Sequence, residues 1–296
     1  MRLVYSENVH TLALPPQHRF PIGKYRVLYD RLRARHDSLF QAAAQAGWDD
    51  IGLIHDRAYL TALRAGTLPT AAIRRLGFPW SEVLVERSRW SVGGTLTALA
   101  WAMSTGAAGH LAGGTHHAFA DRGEGYCVLN DIAVAVAVAR RDHGVRRVAI
   151  VDLDVHQGNG TARLFQADAD VFTLSLHGGK NYPFRKEQSS LDVALADGCE
   201  DDAYLAALDP ALEIVAAHQP EVVFYQAGVD ALAGDRLGRL SLTGEGLARR
   251  DARVFALARG LGVPIVVTLG GGYQADLERS VAAHQQVYEG LVAAMG

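Results

Sequence analysis

A cluster of acidic and imidazole side chains follows the apolar segment Arg147–Asp152 (RVAIVD). Asp152, Asp154 and His156 alternate along the chain at this point. Because residues i and i+2 of an extended chain point the same way, Asp154 and His156 can share one target while Asp152 lies below them. A carboxylate and an imidazole that converge at a strand end form a site for a hard-to-borderline metal ion. The alternative is an acidic strand end that caps a helix.

A further carboxylate, that of Asp230, follows the apolar segment Glu221–Gln226. Taken alone, an aspartate near a glycine in a loop is more often a turn or cap residue. Its position after another predicted strand favours a metal role, because a catalytic zinc site usually has three protein ligands. Asp154, His156 and Asp230 would hold a divalent ion at net zero charge and leave a coordination position open.

Two glycine-rich segments carry further candidate catalytic groups. In Gly113–His117 (GGTHH) the glycines allow the backbone to approach a ligand closely, and an imidazole beside a metal ion is a natural general base for water. In Gly270–Tyr273 (GGGY) the glycines predict a strained or mobile turn that presents Tyr273, whose hydroxyl could donate to a developing oxyanion. The alternatives are packing or surface histidines and a flexible turn with a packing aromatic.

The apolar segments that precede these residues predict a parallel sheet with helices on both faces. They are short, rich in β-branched residues and not alternating, which suits strands buried on both faces. Ligands of such sheets bind at the carboxyl ends of the strands, where the candidate residues fall. The predicted strands are Arg147–Asp152, Val171–Leu176, Glu221–Gln226 and Val263–Leu269, with Arg2–Ser6 and Gly109–Leu111 as weaker candidates.

Capping residues and helical periodicity predict the intervening helices. A helix opening at Asp209 would place Pro210 at its first position, which proline favours. In the helix that begins at Thr243, we expect Arg249, Arg250, Arg253 and Arg259 to reach solvent. Leu68–Trp80, with two prolines, is predicted as a surface loop. The predicted helices are Lys24–Ala46, Ser81–Met103, Asn130–Gly144, one from Asp209, Thr243–Gly260 and Ala275–Ala294.

Composition limits the class of protein. The chain has 296 residues, 49% hydrophobic and 21% charged, with a formal net charge of -3. It is too apolar for a disordered chain, and one α/β domain over residues 1–296 is the expectation. The charge argues against a nucleic-acid partner, and no apolar run reaches the roughly 18 residues of a bilayer span. Cys127 and Cys199 lack a CxxC spacing, which excludes a disulfide framework and favours a cytoplasmic setting.

Taken together, the motifs resemble those of the zinc-dependent histone deacetylase family. In chain order they are GGTHHA, GYCVLND, VDLDVHQGNGT, LSLH, QAGVDALAGDRLGRLSLT and LGGGYQ. The details QGNG, GDRLGRLSLT and the N-terminal HRFPIGKY are most similar to the class IV branch and its bacterial relatives. The resemblance implies the arginase/deacetylase fold: a single catalytic domain with a central parallel sheet of about eight strands flanked by helices.

The resemblance also implies roles for individual residues. His117 would be the general base and acid, and its partner Asn159 stands where many members have an aspartate. Because an amide cannot stabilise an imidazolium as a carboxylate does, His117 should be less basic than in those members. The other implied roles are zinc ligands (Asp154, His156, Asp230), with Fe²⁺ as an alternative ion, the second active-site histidine (His116), its orienting carboxylate (Asp152) and the oxyanion donor (Tyr273).

Two further sets of residues follow from the same resemblance. A structural potassium ion would lie at Asp152, Asp154, His156, Ser175 and Leu176, and a second, more distant one near Phe165, Asp168 and Val171. The walls of an acyl-lysine channel would include Gly125, Tyr126, Leu237 and Gly271. The carboxylate that grips the substrate backbone in several family members has no clear counterpart near Glu82–Arg89.

The implied activity is hydrolysis of an N-acyl amine, most simply N6-acetyl-lysine in a peptide or protein. A small-molecule amidohydrolase that acts on acylated amines such as acetylpolyamines would use the same metal site. A silent module that binds acyl-lysine is the rival from another class, and the complete set of ligands, histidines and tyrosine disfavours it. A binuclear manganese ureohydrolase would need additional carboxylate and histidine ligands. Neither a nucleic-acid nor a membrane partner is expected.

Overall fold

A computed structural model describes the whole chain, residues 1–296, around one sheet of eight parallel strands. The prediction of a parallel sheet of about eight strands flanked by helices is confirmed. The strand order across the sheet is β2-β1-β3-β8-β7-β4-β5-β6. The strands are β1 (Arg2–Tyr5), β2 (Phe40–Ala42), β3 (Ala107–His110), β4 (Val148–Asp152), β5 (Val171–Gly178), β6 (Leu191–Leu195), β7 (Val222–Gln226) and β8 (Ile265–Thr268).

Ten α-helices surround the sheet, and none combines the length and apolarity of a bilayer span. The long helices form two series of contacts, α5–α6–α7 and α1–α10–α9–α8, and strand β3 touches both α5 and α10. The helices are α1 (Lys24–His36), α2 (Trp48–Ile51), α3 (Arg57–Ala65), α4 (Thr70–Leu76), α5 (Glu82–Thr105), α6 (Asp131–His143), α7 (Asn159–Phe165), α8 (Asp201–Ala217), α9 (Gly244–Leu261) and α10 (Leu277–Met295).

Burial of the sheet on both faces explains why its strands read as continuous apolar runs. Every residue of β4 and of β7 is buried, so neither strand has a polar face that would alternate along the sequence. The edge strand β6 is half exposed, with no buried residue. The central strands were therefore predictable, and the two edge strands, β2 and β6, were not.

Three predicted elements differ from the structure, two of them because tertiary contacts outweigh a local signal. Helix α8 begins at Asp201 and continues through Pro210. The Asp209 carboxylate pairs with Arg253 (2.6 Å) and does not cap a helix that starts at this point. Helix α1 ends at His36, and the residues after it pair with β1 as strand β2. The predicted loop Leu68–Trp80 contains α4, with Pro69 at its N-cap position.

The prediction that Arg250 reaches solvent is also wrong, because this side chain is fully buried. Its guanidinium donates to the Asp251 carboxylate (2.8 Å) and to the carbonyl oxygens of Gly228 (2.7 Å) and Leu153 (3.3 Å). Those two carbonyls belong to the loops after β7 and β4. Arg250 therefore ties together the two loops that carry the candidate metal ligands.

We expect Arg250→Met to lower the free energy of unfolding by about 3–5 kcal/mol, because it leaves the buried Asp251 carboxylate without its cation. The neighbouring Arg249 is the matched control, since its guanidinium is exposed and pairs only with the exposed Asp202. Arg249→Met should change stability by no more than about 0.5 kcal/mol. Chemical denaturation of both variants measures the difference, and equal stabilities would contradict the assigned role of Arg250.

Candidate active site

Four neighbouring strands deliver the predicted site residues to one edge of the sheet. Strands β3, β8, β7 and β4 lie side by side, and their carboxyl ends lead into the segments that carry His116 and His117, Tyr273, Asp230, and Asp154 with His156. The segment after β3 is fastened by the buried Asp131, whose carboxylate accepts from the backbone N–H groups of Gly114 (3.0 Å) and Thr115 (2.7 Å). The sheet topology therefore brings together residues that lie more than 150 positions apart.

Asp154, His156 and Asp230 form a compact, buried cluster. One potential ligand atom from each lies within 4.8 Å of the others. His156 Nδ1 is 2.9 Å from an Asp154 carboxylate oxygen and 3.1 Å from one of Asp230. Zinc bonds to nitrogen and carboxylate oxygen of about 2.0–2.2 Å would suit ligand atoms spaced in this way.

The charges of this cluster favour a cation between its carboxylates. Burial and the neighbouring Asp154 carboxylate raise the pKa of Asp230 to about 7. Burial opposes a charged His156, yet its hydrogen bonds to Asp154 and Asp230 raise the pKa of this imidazole to about 10. A divalent ion held by one imidazole and two carboxylates would satisfy both carboxylates. The donor set and its spacing therefore fit a metal ion.

The glycines of the GGGY segment allow the backbone to approach these carboxylates. Gly271 donates its N–H to Asp154 (2.7 Å), and a Cβ atom at Gly271 would clash with the carboxylates of Asp230 and Asp154. Gly270 and Gly272 have positive φ angles of 69° and 156°, which side chains rarely tolerate. The turn is thus constrained by its close approach to Asp154 and Asp230, as expected for a strained segment.

The two adjacent histidines have separate partners. His116 Nδ1 lies 2.6 Å from the Asp152 carboxylate, and His117 Nδ1 lies 2.6 Å from the side-chain oxygen of Asn159. Their rings are close, with centroids 4.1 Å apart. This pairing is the one that the sequence resemblance implied.

The two imidazoles differ in basicity. Burial opposes protonation of His116, but Asp152 and Asp154 raise its pKa to about 9. Burial, followed by the neighbouring His116 and His156, holds the pKa of His117 well below its usual range. The hydrogen bond with Asn159 acts in the opposite direction, so burial and like charge account for the weak basicity. At pH 7, therefore, His116 carries a charge and His117 is neutral.

Glu124 fixes the orientation of Asn159. Its buried carboxylate accepts a hydrogen bond from the Asn159 side-chain NH₂ (2.7 Å) and another from the Tyr182 hydroxyl (2.8 Å). Because a carboxylate only accepts, the Asn159 amide must turn its oxygen toward His117. His117 then donates from Nδ1 and keeps Nε2 free to accept a proton. The Tyr182 ring packs edge-on against His117, at 4.9 Å between centroids.

We expect Glu124→Ala to lower kcat by about 10-fold or more, because the freed Asn159 amide no longer selects the productive tautomer of His117. Glu124→Gln keeps a side-chain oxygen that can accept from Asn159, and it should retain most of kcat. KM should be nearly unchanged in both variants, since Glu124 does not line the cavities at the site. Steady-state kinetics test this, and a wild-type kcat in Glu124→Ala would contradict the positioning role.

Tyr273 is held by its backbone, and its hydroxyl has no protein partner. Its N–H donates to Asp235 (2.6 Å), and its carbonyl accepts from Arg236 (2.9 Å). The ring centroid lies 6.4 Å from that of His156. Burial and the nearby carboxylates of Asp154 and Asp230 raise the pKa of Tyr273 well above its usual range. The hydroxyl thus stays protonated and available as a donor beside the ligand cluster.

Lys24 supports the same turn from within the protein. Its ammonium is almost fully buried, donates to the carbonyl of Gly270 (3.0 Å) and lies 5.6 Å from the centroid of the Tyr273 ring. Burial lowers the pKa of Lys24 to about 8, although Asp230 and Asp154 act against this. Sequence reasoning missed Lys24, Glu124, Asp235 and Arg236, because their contacts cross at least 35 positions of sequence.

The site lies where an inner and an outer cavity meet. His117, His156 and Tyr273 line both the inner cavity, of about 40 Å³, and the outer one, of about 690 Å³. The predicted channel residues lie here as well: Gly125 and Tyr126 line both cavities, Leu237 the outer one and Gly271 the inner one. Tyr126 has a φ of 66°, a conformation that non-glycine residues adopt mainly under constraint.

The residues of the predicted potassium sites lie in two places. Ser175 is the register partner of Asp152 on the adjacent strand β5, and both Ser175 and Leu176 are buried. At the more distant site, the Asp168 carboxylate pairs with Arg140 (2.5 Å), and its carbonyl accepts from the N–H of Val171 (3.2 Å). The structure thus brings Ser175 to the ligand loop and leaves Asp168 remote from it.

Comparisons with known proteins yield one family match and several relatives. The chain matches the family model for the histone deacetylase domain over residues 18–288. It is 41% identical over 292 residues to an uncharacterised protein of Picosynechococcus sp., covering 97% of this chain and 96% of that protein. It is 34% identical over 247 residues to histone deacetylase 2 of Arabidopsis thaliana (79% of this chain, 63% of that one). It is 33% identical over 266 residues to acetoin utilization protein AcuC of Bacillus subtilis (81% and 68%).

Proposed function

This chain belongs to the histone deacetylase family of amide hydrolases, and we propose that it is a zinc-dependent deacylase of N6-acyl-lysine in peptides or proteins. The observation that carries the proposal is the convergence of three kinds of group at one point. These are the Asp154–His156–Asp230 cluster, the neutral imidazole of His117 and the free hydroxyl of Tyr273. An amide hydrolase needs an electrophilic centre, a base for water and a donor to the oxyanion, and these groups would supply them once an ion is bound.

Asp154, His156 and Asp230 would hold the ion, with Zn²⁺ as the proposed metal and Fe²⁺ as an alternative in the cell. When bound, such an ion supplies a Lewis acid for the acyl carbonyl and lowers the pKa of water. We propose structural potassium at the shell of Asp152, Asp154, His156, Ser175 and Leu176.

Three side chains of the protein would transfer protons and stabilise charge during hydrolysis. His117 takes a proton from water on Nε2 as the water oxygen bonds to the acyl carbon, and it returns a proton to the amine as the C–N bond breaks. Tyr273 donates to the carbonyl oxygen as its negative charge grows. His116, kept protonated by Asp152, holds a positive charge next to His117 and so favours proton release from it. The products are a carboxylate and a free amine.

Two rival functions share parts of this site. A small-molecule amidohydrolase that acts on acetylpolyamines would use the same residues on a different substrate. A silent acyl-lysine binding module would need the pocket but neither base nor oxyanion donor, so the presence of His117 and Tyr273 argues against it. With two free cysteines, Cys127 and Cys199, we propose a cytoplasmic location, where thiols stay reduced.

An acyl-substrate panel tests the proposal. The purified zinc-loaded protein is assayed against lysine peptides that carry acetyl, trifluoroacetyl and fatty-acyl groups, with N-acetylpolyamines alongside. We expect peptide turnover, and the acyl profile will report the length of the inner pocket. Turnover of polyamines alone would contradict the peptide assignment, and no turnover at full zinc occupancy would favour the binding module.

A further inference from the structure

The mouth of the outer cavity is strongly basic. Five cationic side chains line it without a single carboxylate among the lining residues: Arg19, Arg75, Lys180, Arg236 and Arg239. All five are exposed, and they come from four separate segments of the chain. The chain as a whole has a net charge of -3, so this excess is local. We call these five residues the basic rim.

Most of the positive charge of the basic rim is not neutralised within the protein. Asp197 is the one carboxylate paired with it, at 3.7 Å from Lys180 and 3.3 Å from Arg239. Arg19 and Arg75 have neither an ion pair nor a side-chain hydrogen bond. The Arg236 guanidinium donates hydrogen bonds to the backbone carbonyls of Tyr273 and Arg19. Because these acceptors are neutral, the positive charge of Arg236 is not balanced.

Two buried carboxylates near the rim have their oxygens occupied by groups of the protein. Asp235 accepts from the backbone N–H groups of Leu237, Gly238 and Tyr273, and it is 9% exposed. Glu124, which is 8% exposed, is engaged by Asn159 and Tyr182. Neither carboxylate lines the outer cavity, whereas all five side chains of the basic rim do.

We propose that the basic rim selects acyl-lysine peptides that carry acidic residues next to the acylated lysine. This rests on the proposed function, because an acyl-lysine that reaches His117 must place its flanking residues at the rim. Guanidinium groups bind carboxylates through paired charge-assisted hydrogen bonds. A concentrated positive potential also speeds the association of negatively charged partners and opposes positively charged ones.

The dimensions of the mouth favour a peptide over a small acylated amine. The outer cavity, at about 690 Å³, has the size of pockets that hold drug-sized ligands, so it has room for residues that flank an acylated lysine. Phe184 also lines it and is 88% exposed, the highest exposure among the large hydrophobic side chains that stand out at the surface. An exposed aromatic beside unpaired arginines suits contact with residues on either side of the acyl-lysine. The same charges oppose polycationic substrates such as acetylpolyamines and lysine-rich tails.

Three matched acetyl-lysine peptides test the proposal, identical except for glutamate, serine or lysine at the flanking positions. At low salt we expect kcat/KM to fall from the acidic to the neutral to the basic peptide, with at least about a tenfold spread carried mainly by KM. At about 1 M salt, where the Debye screening length is roughly 3 Å, the ratio of kcat/KM for the acidic peptide over the basic one should approach one. Equal kcat/KM values for the acidic and basic peptides would overturn the proposal.

Charge reversal at the rim provides a second readout. We expect Arg19→Glu combined with Arg75→Glu to lower the ratio of kcat/KM for the acidic peptide over the basic one by at least about fivefold. The ratio is measured within one protein, so it does not depend on the active fraction. Arg163→Glu combined with Arg259→Glu is the matched control, because both arginines are exposed without an ion pair and lie outside the cavity. It should leave the ratio unchanged, and a drop equal to that of the rim variant would overturn the assignment.

A small anionic substrate completes the test. N6-acetyl-lysine with a blocked α-amine carries one carboxylate and no flanking residues, and we expect the acidic peptide to exceed it in kcat/KM. The reverse order would overturn the preference for a peptide. Turnover of the neutral peptide separates the two proposals: its absence, together with that of all others, would refute the deacylase function, whereas its presence with no charge preference would refute only the role of the rim.

Discussion

Asp230→Ala and His156→Ala are expected to abolish both metal binding and hydrolysis. Each removes one of the three proposed ligands, and two side chains cannot enclose a divalent ion as three do. Asp230 also accepts a hydrogen bond from the N–H of Val155 (2.8 Å), so alanine removes a structural contact as well. Elemental analysis of the purified variants measures the metal, and acetate release measures the activity.

Asp230→Asn separates the loss of the ligand charge from damage to the fold. Asparagine keeps an oxygen that accepts from Val155, so this variant should retain the wild-type fold while its metal affinity falls. Asp202→Ala, at an aspartate whose side chain is 92% exposed, should keep full metal content and activity. One equivalent of zinc retained in Asp230→Ala would refute the proposed ligand set.

Tyr273→Phe should lower turnover by roughly 100- to 1,000-fold, or about 3–4 kcal/mol of transition-state stabilisation. The hydroxyl lies beside the ligand cluster and has no protein partner, so it is free to donate to the oxyanion. Loss of this donor should affect kcat far more than KM, because the negative charge exists only in the transition state. Steady-state kinetics with the acetyl-lysine peptide measure the effect.

The fold of Tyr273→Phe should be unaffected, which makes the interpretation direct. The hydrogen bonds of Tyr273 come from its backbone, to Asp235 and Arg236, and phenylalanine preserves them. We expect a melting temperature and a zinc content equal to those of the wild type. A loss of turnover below about threefold would exclude the oxyanion role.

The sheet and the edge at which the candidate residues gather were predictable, because the sequence patterns that indicate them are local. Strands β4 and β7 are buried on both faces, so their apolar runs stand out in the sequence. The candidate residues follow directly after strands, where parallel topology gathers ligands. The family match and the eight-stranded parallel sheet confirm the predicted fold. The class IV affinity, the potassium sites and the individual catalytic roles stay predictions.

The features that were missed depend on contacts between distant segments. Arg250 was predicted at the surface. Helix periodicity does not reveal that its guanidinium donates hydrogen bonds to two loop carbonyls and to Asp251. Glu124 was missed because its partner Asn159 lies 35 positions away, and nothing in the sequence around either residue indicates the pairing. The basic rim, likewise, draws its arginines from segments that only the fold brings together.

Metal-dependent hydrolysis of an acetyl-lysine peptide is the most direct test of the central claim. The protein is stripped with a chelator and titrated with zinc, and released acetate and free lysine side chain are measured at each step. We predict no hydrolysis by the stripped protein and a linear recovery that ends at one zinc per chain. Hydrolysis at the full rate by the stripped protein would contradict the claim that Asp154, His156 and Asp230 make this chain a metal-dependent amide hydrolase.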